Sequence, residues 1–331
     1  MKYSIIIPVY NRPDEVEELL ESLVNQTGNF SFEMVIVEDG STLPCDKVIE
    51  QYKGRLSISY HTKPNTGRSD TRNVGMELAK GDYFLFFDSD CVLPPQYFAT
   101  LDQILSESYS DCFGGPDAAH ESFSSVQKAI SYAMTSFFTT GGIRGGKQQL
   151  EKFKPRTFNM GFSRAVYEKV GGFRDMFGED IDLSIRIADA GFSIALYRDA
   201  FVYHRRRVSF RKFYKQVRNF GSGRISLALL HKGSMKLVHT LPALFLVGAI
   251  GIIILSVFLS LWFWLFPVFY TLLLLADAFI KTKSVKTALL AVWASYIQLV
   301  GYGWGFITAF VQKILLGRGL ESSETLKKVY K

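Results

Sequence analysis

Asp82-Tyr-Phe-Leu-Phe-Phe-Asp-Ser-Asp90 decides how the rest of this chain is read. The apolar run from Tyr83 to Phe87 has the character of a strand buried on both faces, as in a parallel sheet. It ends in two acids, Asp88 and Asp90, and Pro94-Pro95 just beyond cannot continue a central strand. Paired carboxylates at the tip of a buried strand are costly unless a cation sits there. Mg²⁺ commonly combines one or two such carboxylates with substrate phosphates. The plainer reading, that both acids merely open a turn, stands beside it.

The segments on either side supply the context. Upstream, Ser4 to Asn11 reads as a first strand broken at Pro8, and Glu15 to Val24 as a helix with Val16, Leu19, Leu20 and Leu23 on one face. Phe32 to Val37 is a second strand running into Glu38-Asp39, and Ser57 to Tyr60 a third. Ser69 is the expected N-cap of a helix through Leu78. Such strand–helix alternation predicts a doubly wound, mostly parallel sheet, whose ligands sit outside the carboxyl ends of the strands. Asn11-Arg12, Glu38-Asp39 and Asp88/Asp90 all fall there. Downstream, Phe123 to Phe138 reads as a helix. The glycine-rich stretch 139–147 is a connector or a flap over an acceptor. Helices follow at Arg164–Val170 and from Gly178 to Gly191, with short strands at Ile194–Tyr197 and Phe201–Tyr203 leading to His204. Of the acids Glu179, Asp180 and Asp182, one capping role explains only one.

The chain has 331 residues, 48% of them hydrophobic, and a formal net charge of +7. The apolar excess follows Leu241, and many of the basic residues lie between Arg205 and Lys236, which suits anionic headgroups better than nucleic acid. The cysteines Cys45, Cys91 and Cys112 lack metal-ligand spacing and read as reduced thiols. Met1 leads directly into a strand, so the expectation is no signal peptide and a cytosolic N-terminal part.

Together, Pro8-Val-Tyr-Asn11, Val37-Glu-Asp-Gly-Ser41, Asn65-x-Gly67 with Arg72-Asn73, Asp88-Ser-Asp90 and Gly178-Glu-Asp180 resemble the family 2 glycosyltransferases of the GT-A fold, over about residues 1–205. The resemblance implies an inverting transfer from a nucleotide-diphospho-sugar, UDP-linked by expectation. It implies donor contacts at Pro8, Tyr10, Asn11, Glu38, Asp39, Asn65, Gly67, Arg72 and Asp88. It implies a divalent metal, Mg²⁺ or Mn²⁺, at Asp90 and Asp88 with His204 as a further contact, and Asp180 as general base. Glu179, Asp117 and Asn159 are the alternatives for the base or for the acceptor. Asp70-Thr71 departs from the small residues the family often has before Arg72-Asn73. Gln216 and Arg218 stand near a Gln-x-x-Arg-Trp motif of synthase-type relatives, but Asn219-Phe220 breaks it.

Three regions result: a cytosolic GT-A domain over 1–207, an amphipathic membrane-interface segment over 208–236, and a transmembrane region over 237–331. A single helix from Leu241 to Ile280 would run about 60 Å against a hydrocarbon core of about 30 Å, so it must turn, near Ser260 to Phe266. A third apolar segment, about 288–310, is interrupted by Gln298 and by Gly301, Gly303 and Gly305. If it crossed, basic residues such as Lys313 and Arg318 would lie outside, against the positive-inside tendency; a crossing is nevertheless the expectation. The functional expectation is a multi-pass cell-membrane glycosyltransferase acting at the cytosolic face on a lipid-linked or membrane-proximal acceptor. Its partners would be the nucleotide-sugar, the acceptor and membrane lipids, with no nucleic acid. The alternatives are a processive polysaccharide synthase and an inactive scaffold of the same fold.

Overall fold

A computed structural model describes residues 2–28, 30–118, 123–141, 153–204 and 209–318. Arg205, most of the glycine-rich stretch 139–147, and Lys327 and Lys328 lie outside the described residues. The chain forms two compact units, one from residues 1–118 with 153–205 and the other from 119–152 with 206–328.

In the first unit the elements run β1 (Tyr3–Val9), α1 (Pro13–Val24), β2 (Phe32–Asp39), α2 (Asp46–Tyr52), β3 (Ile58–Lys63), α3 (Arg68–Leu78), β4 (Tyr83–Phe86), β5 (Cys91–Val92), α4 (Tyr97–Glu107), β6 (Cys112–Gly114) and β7 (Asp117–Ala118). In chain order α5 (Ser125–Thr135) and α6 (Phe137–Thr140) come next and belong to the second unit. The first unit resumes with β8 (Met160–Ser163), α7 (Arg164–Val170), α8 (Glu179–Asp189), β9 (Ile194–Leu196) and β10 (Val202–His204). The main sheet has the order β3-β2-β1-β4-β8-β6-β9. Its pairs are parallel except where β8 runs antiparallel to β4 and β6. A small sheet, β5-β10-β7, stands apart from it.

Strand alternation divides the core into two faces. Tyr3, Ile5, Ile7, Tyr83, Leu85 and Phe87 pack with Val16, Leu19 and Leu23 of α1 and Leu101 of α4. Ile6, Val35, Val37, Phe84 and Phe86 pack with Met76 of α3 and Leu183 and Ile187 of α8. Two local expectations change. Pro8 does not break β1, which continues through it opposite Val37. Ser69 does not cap α3: the N-cap is Gly67, at φ +96°, where a side chain would be strained.

The second unit comprises α5, α6, α9 (Phe210–Leu230), α10 (Leu237–Phe258), α11 (Leu265–Thr282) and α12 (Val285–Phe310), the last ending in a π-helical turn, Val311–Leu315. Ser124 opens α5 with a capping box shared with Gln127, and Ser136 separates α5 from α6, so Phe123 to Phe138 is not one helix. Residues 123–141, expected with the 1–207 domain, belong here because Tyr132 donates to Asp277 of α11 at 2.6 Å and Ala129 and Ala133 pack among Ala288, Ala291 and Ala294 of α12. Lys281 pairs with Asp277 at 2.9 Å, one turn apart near the end of α11.

The hairpin turns at Leu259–Trp264. Its legs, Leu237–Phe258 and Leu261–Thr282, are the helices among the described residues long and apolar enough to cross a membrane. The apolar face of α9, expected on lipid, instead meets α12, with Phe213 and Val217 fully buried and Gly221 close against the Tyr302 carbonyl.

Candidate active site

Parallel pairing brings the carboxyl ends of β1, β2 and β4 to one edge of the sheet, and with them Asn11, Asp39 and Asp88. Each is fixed by partners on neighbouring loops. Asn11, at φ +56°, accepts from the Leu43 N–H at 2.8 Å and donates its own N–H to Ser41 at 2.8 Å. Tyr10 beside it is 49% exposed, which leaves its ring open to a ligand.

Glu38 and Asp39 have different surroundings. Glu38 is buried and accepts from the Cys45 N–H at 3.0 Å, from Tyr60 at 2.6 Å and from Ser41. It braces the loop after β2. Asp39 takes the Thr66 N–H at 3.0 Å and the Gly67 N–H at 3.1 Å, and so holds the turn Asn65–Gly67 that opens α3. Lys63, its direct neighbour in the β2–β3 register, donates to it at 2.6 Å. Burial pushes the Asp39 carboxyl up, but the Lys63 ammonium and the Thr66 N–H outweigh it and leave it below the usual carboxylate range. Lys63 also pairs with Asp70 at 3.2 Å, so the acid that departs from the family pattern shares this ammonium with Asp39.

The two acids after β4 take separate partners. Asp88 pairs with Arg72 at 2.7 Å, and Arg72 continues to Glu179 at 3.2 Å. Arg72 is buried and bridges the two acids. The more exposed cation there is Arg68, which reaches the other oxygen of Glu179 at 2.8 Å. Sequence reasoning passed over Arg68, although its place just after Gly67 at a helix start was a signal.

Asp90 turns towards the small sheet. The β5–β10 register sets His204 opposite Cys91, and His204 Nε2 lies 3.1 Å from Asp90 Oδ1. Asp117, at the start of β7, is 3.9 Å from the other ring nitrogen. The His204 ring stacks on Phe158 with centroids 4.8 Å apart, which fixes its plane. Asp117 therefore sits with the histidine. Arg12 approaches Asp90 from the other side at 3.4 Å.

Asp90, Cys91 and His204 bring ligand atoms within 4.8 Å of one another. Cys91 fits poorly. Its Sγ donates to the Phe158 carbonyl at 3.3 Å, and burial, with the Asp90 and Asp88 charges, raises its thiol well above the usual range. The oxygen and imidazole donors that remain suit a hard or borderline divalent ion such as Mg²⁺ or Mn²⁺.

At the start of α8, Glu179 and Asp180 diverge. Burial and the adjacent Asp180 charge raise the Glu179 carboxyl while Arg68 and Arg72 hold it down, and its oxygens face those arginines. Asp180 is only half-buried and has the guanidinium of Arg156 at 3.7 Å. Asp182 is fully buried between Arg174 and Arg186 and is structural. Asn159 is also fully buried, accepts from Tyr97 at 2.6 Å and donates to the Ala200 carbonyl at 2.8 Å. Both ends of its amide are thus committed within the protein.

Comparison with known proteins bears on this arrangement. The family model described as glycosyl transferase family 2 matches residues 4–171. The glycosyltransferase AglE of Haloferax volcanii is 27% identical over 252 residues, 74% of this chain and 80% of AglE. A poly(ribitol-phosphate) beta-glucosyltransferase of Bacillus spizizenii is 36% identical over 115 residues, 34% of this chain and 18% of its own length. Several curated relatives are thus matched over well under two thirds of their length. Among solved structures, the mannosyltransferase PcManGT from Pyrobaculum calidifontis, in complex with GDP-Man and Mn²⁺, is similar with a TM-score of 0.64 at 16% identity, over 89% of this chain and 86% of that one. That likeness establishes the GT-A-like fold.

Proposed function

Because the chain belongs to glycosyl transferase family 2, we propose that it is a membrane-anchored inverting glycosyltransferase, of hexosyl type, that takes a sugar from a nucleotide-diphospho-sugar. The acceptor in this reading is lipid-linked or close to the membrane, and the product enters glycan assembly at the cytosolic face. The observation that carries the reading is the alignment of Asp39, Asp88 and Asp90 along one sheet edge with His204 3.1 Å from Asp90. The GDP-Man bound by PcManGT agrees with it, and the two apolar legs of the hairpin supply the anchor.

In this reading Asp90 and His204 hold the divalent ion, with Asp88 beside them. The ion, when bound, neutralises charge developing on the diphosphate leaving group. The residues of the chain do the rest. Tyr10 packs on the base, and the turn clamped by Asp39 shapes the nucleotide side. Arg12 and Arg68 add positive charge near the phosphates. Asp180 accepts the proton of the attacking acceptor hydroxyl; its partial exposure supports that role, as the committed oxygens of Glu179 do not support the alternative. Asp180→Asn should lower transfer ~10²–10⁴-fold while leaving donor affinity within a few-fold. Calorimetric titration with nucleotide-sugar beside a transfer assay checks this, and full transfer by the variant would remove Asp180 from the mechanism.

A further inference from the structure

The second unit contains a relation between helices that bears on the membrane. We infer that α12 does not cross the bilayer but lies along the same membrane face from which the hairpin enters, with one apolar stripe resting in lipid. The inference rests on the membrane-anchored reading above.

The geometry argues it from both ends of α12. At its start, only Lys283 and Ser284 separate it from the end of α11. Near its end, Gly303 lies against the Pro242 carbonyl, one turn into α10. Leu237 and Thr282 are the open ends of a hairpin, and the open ends of a two-span hairpin share one side of the membrane. A helix that runs from beside one of them to beside the other starts and finishes on that side. Tyr296 near the middle of α12 meets both legs away from their open ends, with ring centroids 6.1 Å from Phe245 and 6.2 Å from Tyr270, the latter in the turn-side half of α11.

Charge on α9 supports the same placement. Gly301 lies against Val217, Gly305 against the Arg218 carbonyl, and Lys313 donates to Ser226 at 2.7 Å, so the two helices run side by side in one direction. Lys215 and Arg218 of α9 are exposed at the level of Gly301 to Gly305. A crossing α12 would carry that level about 24 Å from its start, deep towards the far leaflet, where exposed cations are expensive.

The surface of α12 fits a lipid face. Leu289, Trp293, Val300, Trp304 and Val311 are exposed at spacings that keep them on one side along its whole length. A continuous apolar stripe with tryptophans at two levels is what an in-plane helix presents to the headgroup boundary. It adjoins the exposed apolar surfaces of α10 and α11 in the same unit. Non-crossing also leaves Lys313 and Arg318 on the side of Lys283 and Lys286, which removes the conflict with the positive-inside tendency.

Cysteine labelling in the full-length protein tests this. The native cysteines are buried and give a quiet background. Ser260→Cys, Lys283→Cys and Arg318→Cys are treated separately with a membrane-impermeant maleimide, in intact cells and after permeabilisation. The expected result is that Lys283→Cys and Arg318→Cys label under the same condition and Ser260→Cys under the opposite one. Labelling of Arg318→Cys from the side opposite Lys283→Cys would overturn the inference and make α12 a third span. Labelling of all three from one side would instead overturn the membrane-spanning hairpin on which the inference rests.

Discussion

Asp39 is held at the end of β2 by Lys63, which donates to it at 2.6 Å. Its position after a buried strand marked it as part of the site, but its strongest partner did not show in the sequence. Lys63 reaches it only because β3 continues past Tyr60 to Lys63, in register with Asp39. The interaction has a definite pH signature. The Asp39 carboxyl is lowered in the folded protein, so the unfolded chain binds its proton more readily. The resulting stability is present above the ordinary carboxylate pKa of about 3.9 and is lost as pH falls through the lower folded value. Asp39→Asn should therefore destabilise at neutral pH by about 1–3 kcal/mol, with the gap closing below about pH 4. Thermal unfolding of both proteins across that range checks it; a gap constant with pH would contradict it. The different surroundings of Glu179 and Asp180 were equally hidden, because adjacent acids in a sequence differ only once burial and the arginines around them are known. A second residue-scale expectation concerns His204. If it shares an ion with Asp90, His204→Ala should raise the Mn²⁺ concentration needed for half-maximal activity about tenfold or more, as loss of a direct ligand should cost at least as much as loss of an outer-shell partner.

At the scale of elements, the alternating apolar runs of β1, β2 and β4 and the periodicity of α1 were legible because local pattern alone determines them. The small sheet was not. Strands β5 and β7 are two residues each and carry no pattern, yet their pairing with β10 brings Asp90, Asp117 and His204 together. The pairing of α9 with α12 was hidden for another reason. The sequence showed an amphipathic helix but not what covers its apolar face, and the glycines that looked like interruptions of α12 are where other helices approach it. Gly305 allows the Arg218 backbone to come close, whereas nothing lies within 4 Å of the corresponding position at Gly248 in α10. Gly305→Leu should lower the stability of the detergent-solubilised protein by about 1–3 kcal/mol or more. Gly248→Leu should change it by under about 0.5 kcal/mol, and equal losses in a melting experiment would contradict the packing described for α9 and α12.

For the whole molecule, the sheet edge and its acids belong to the first unit and the hairpin to the second, and the proposed function joins catalysis to anchorage. Fold and family were readable because several motifs occurred in one order, each weak alone. The role of residues 123–141 was not readable, since their partners on α11 and α12 lie more than a hundred residues away along the chain. The central claim is metal-assisted transfer from a nucleotide-sugar. It is tested most directly by incubating the full-length protein with a panel of UDP- and GDP-sugars and a membrane lipid extract, with Mn²⁺ or with EDTA, and measuring nucleotide release. The account predicts lipid-dependent release from at least one donor with Mn²⁺, its loss in EDTA, and its loss in Asp90→Asn. Release that is undiminished by EDTA and by Asp90→Asn would contradict it.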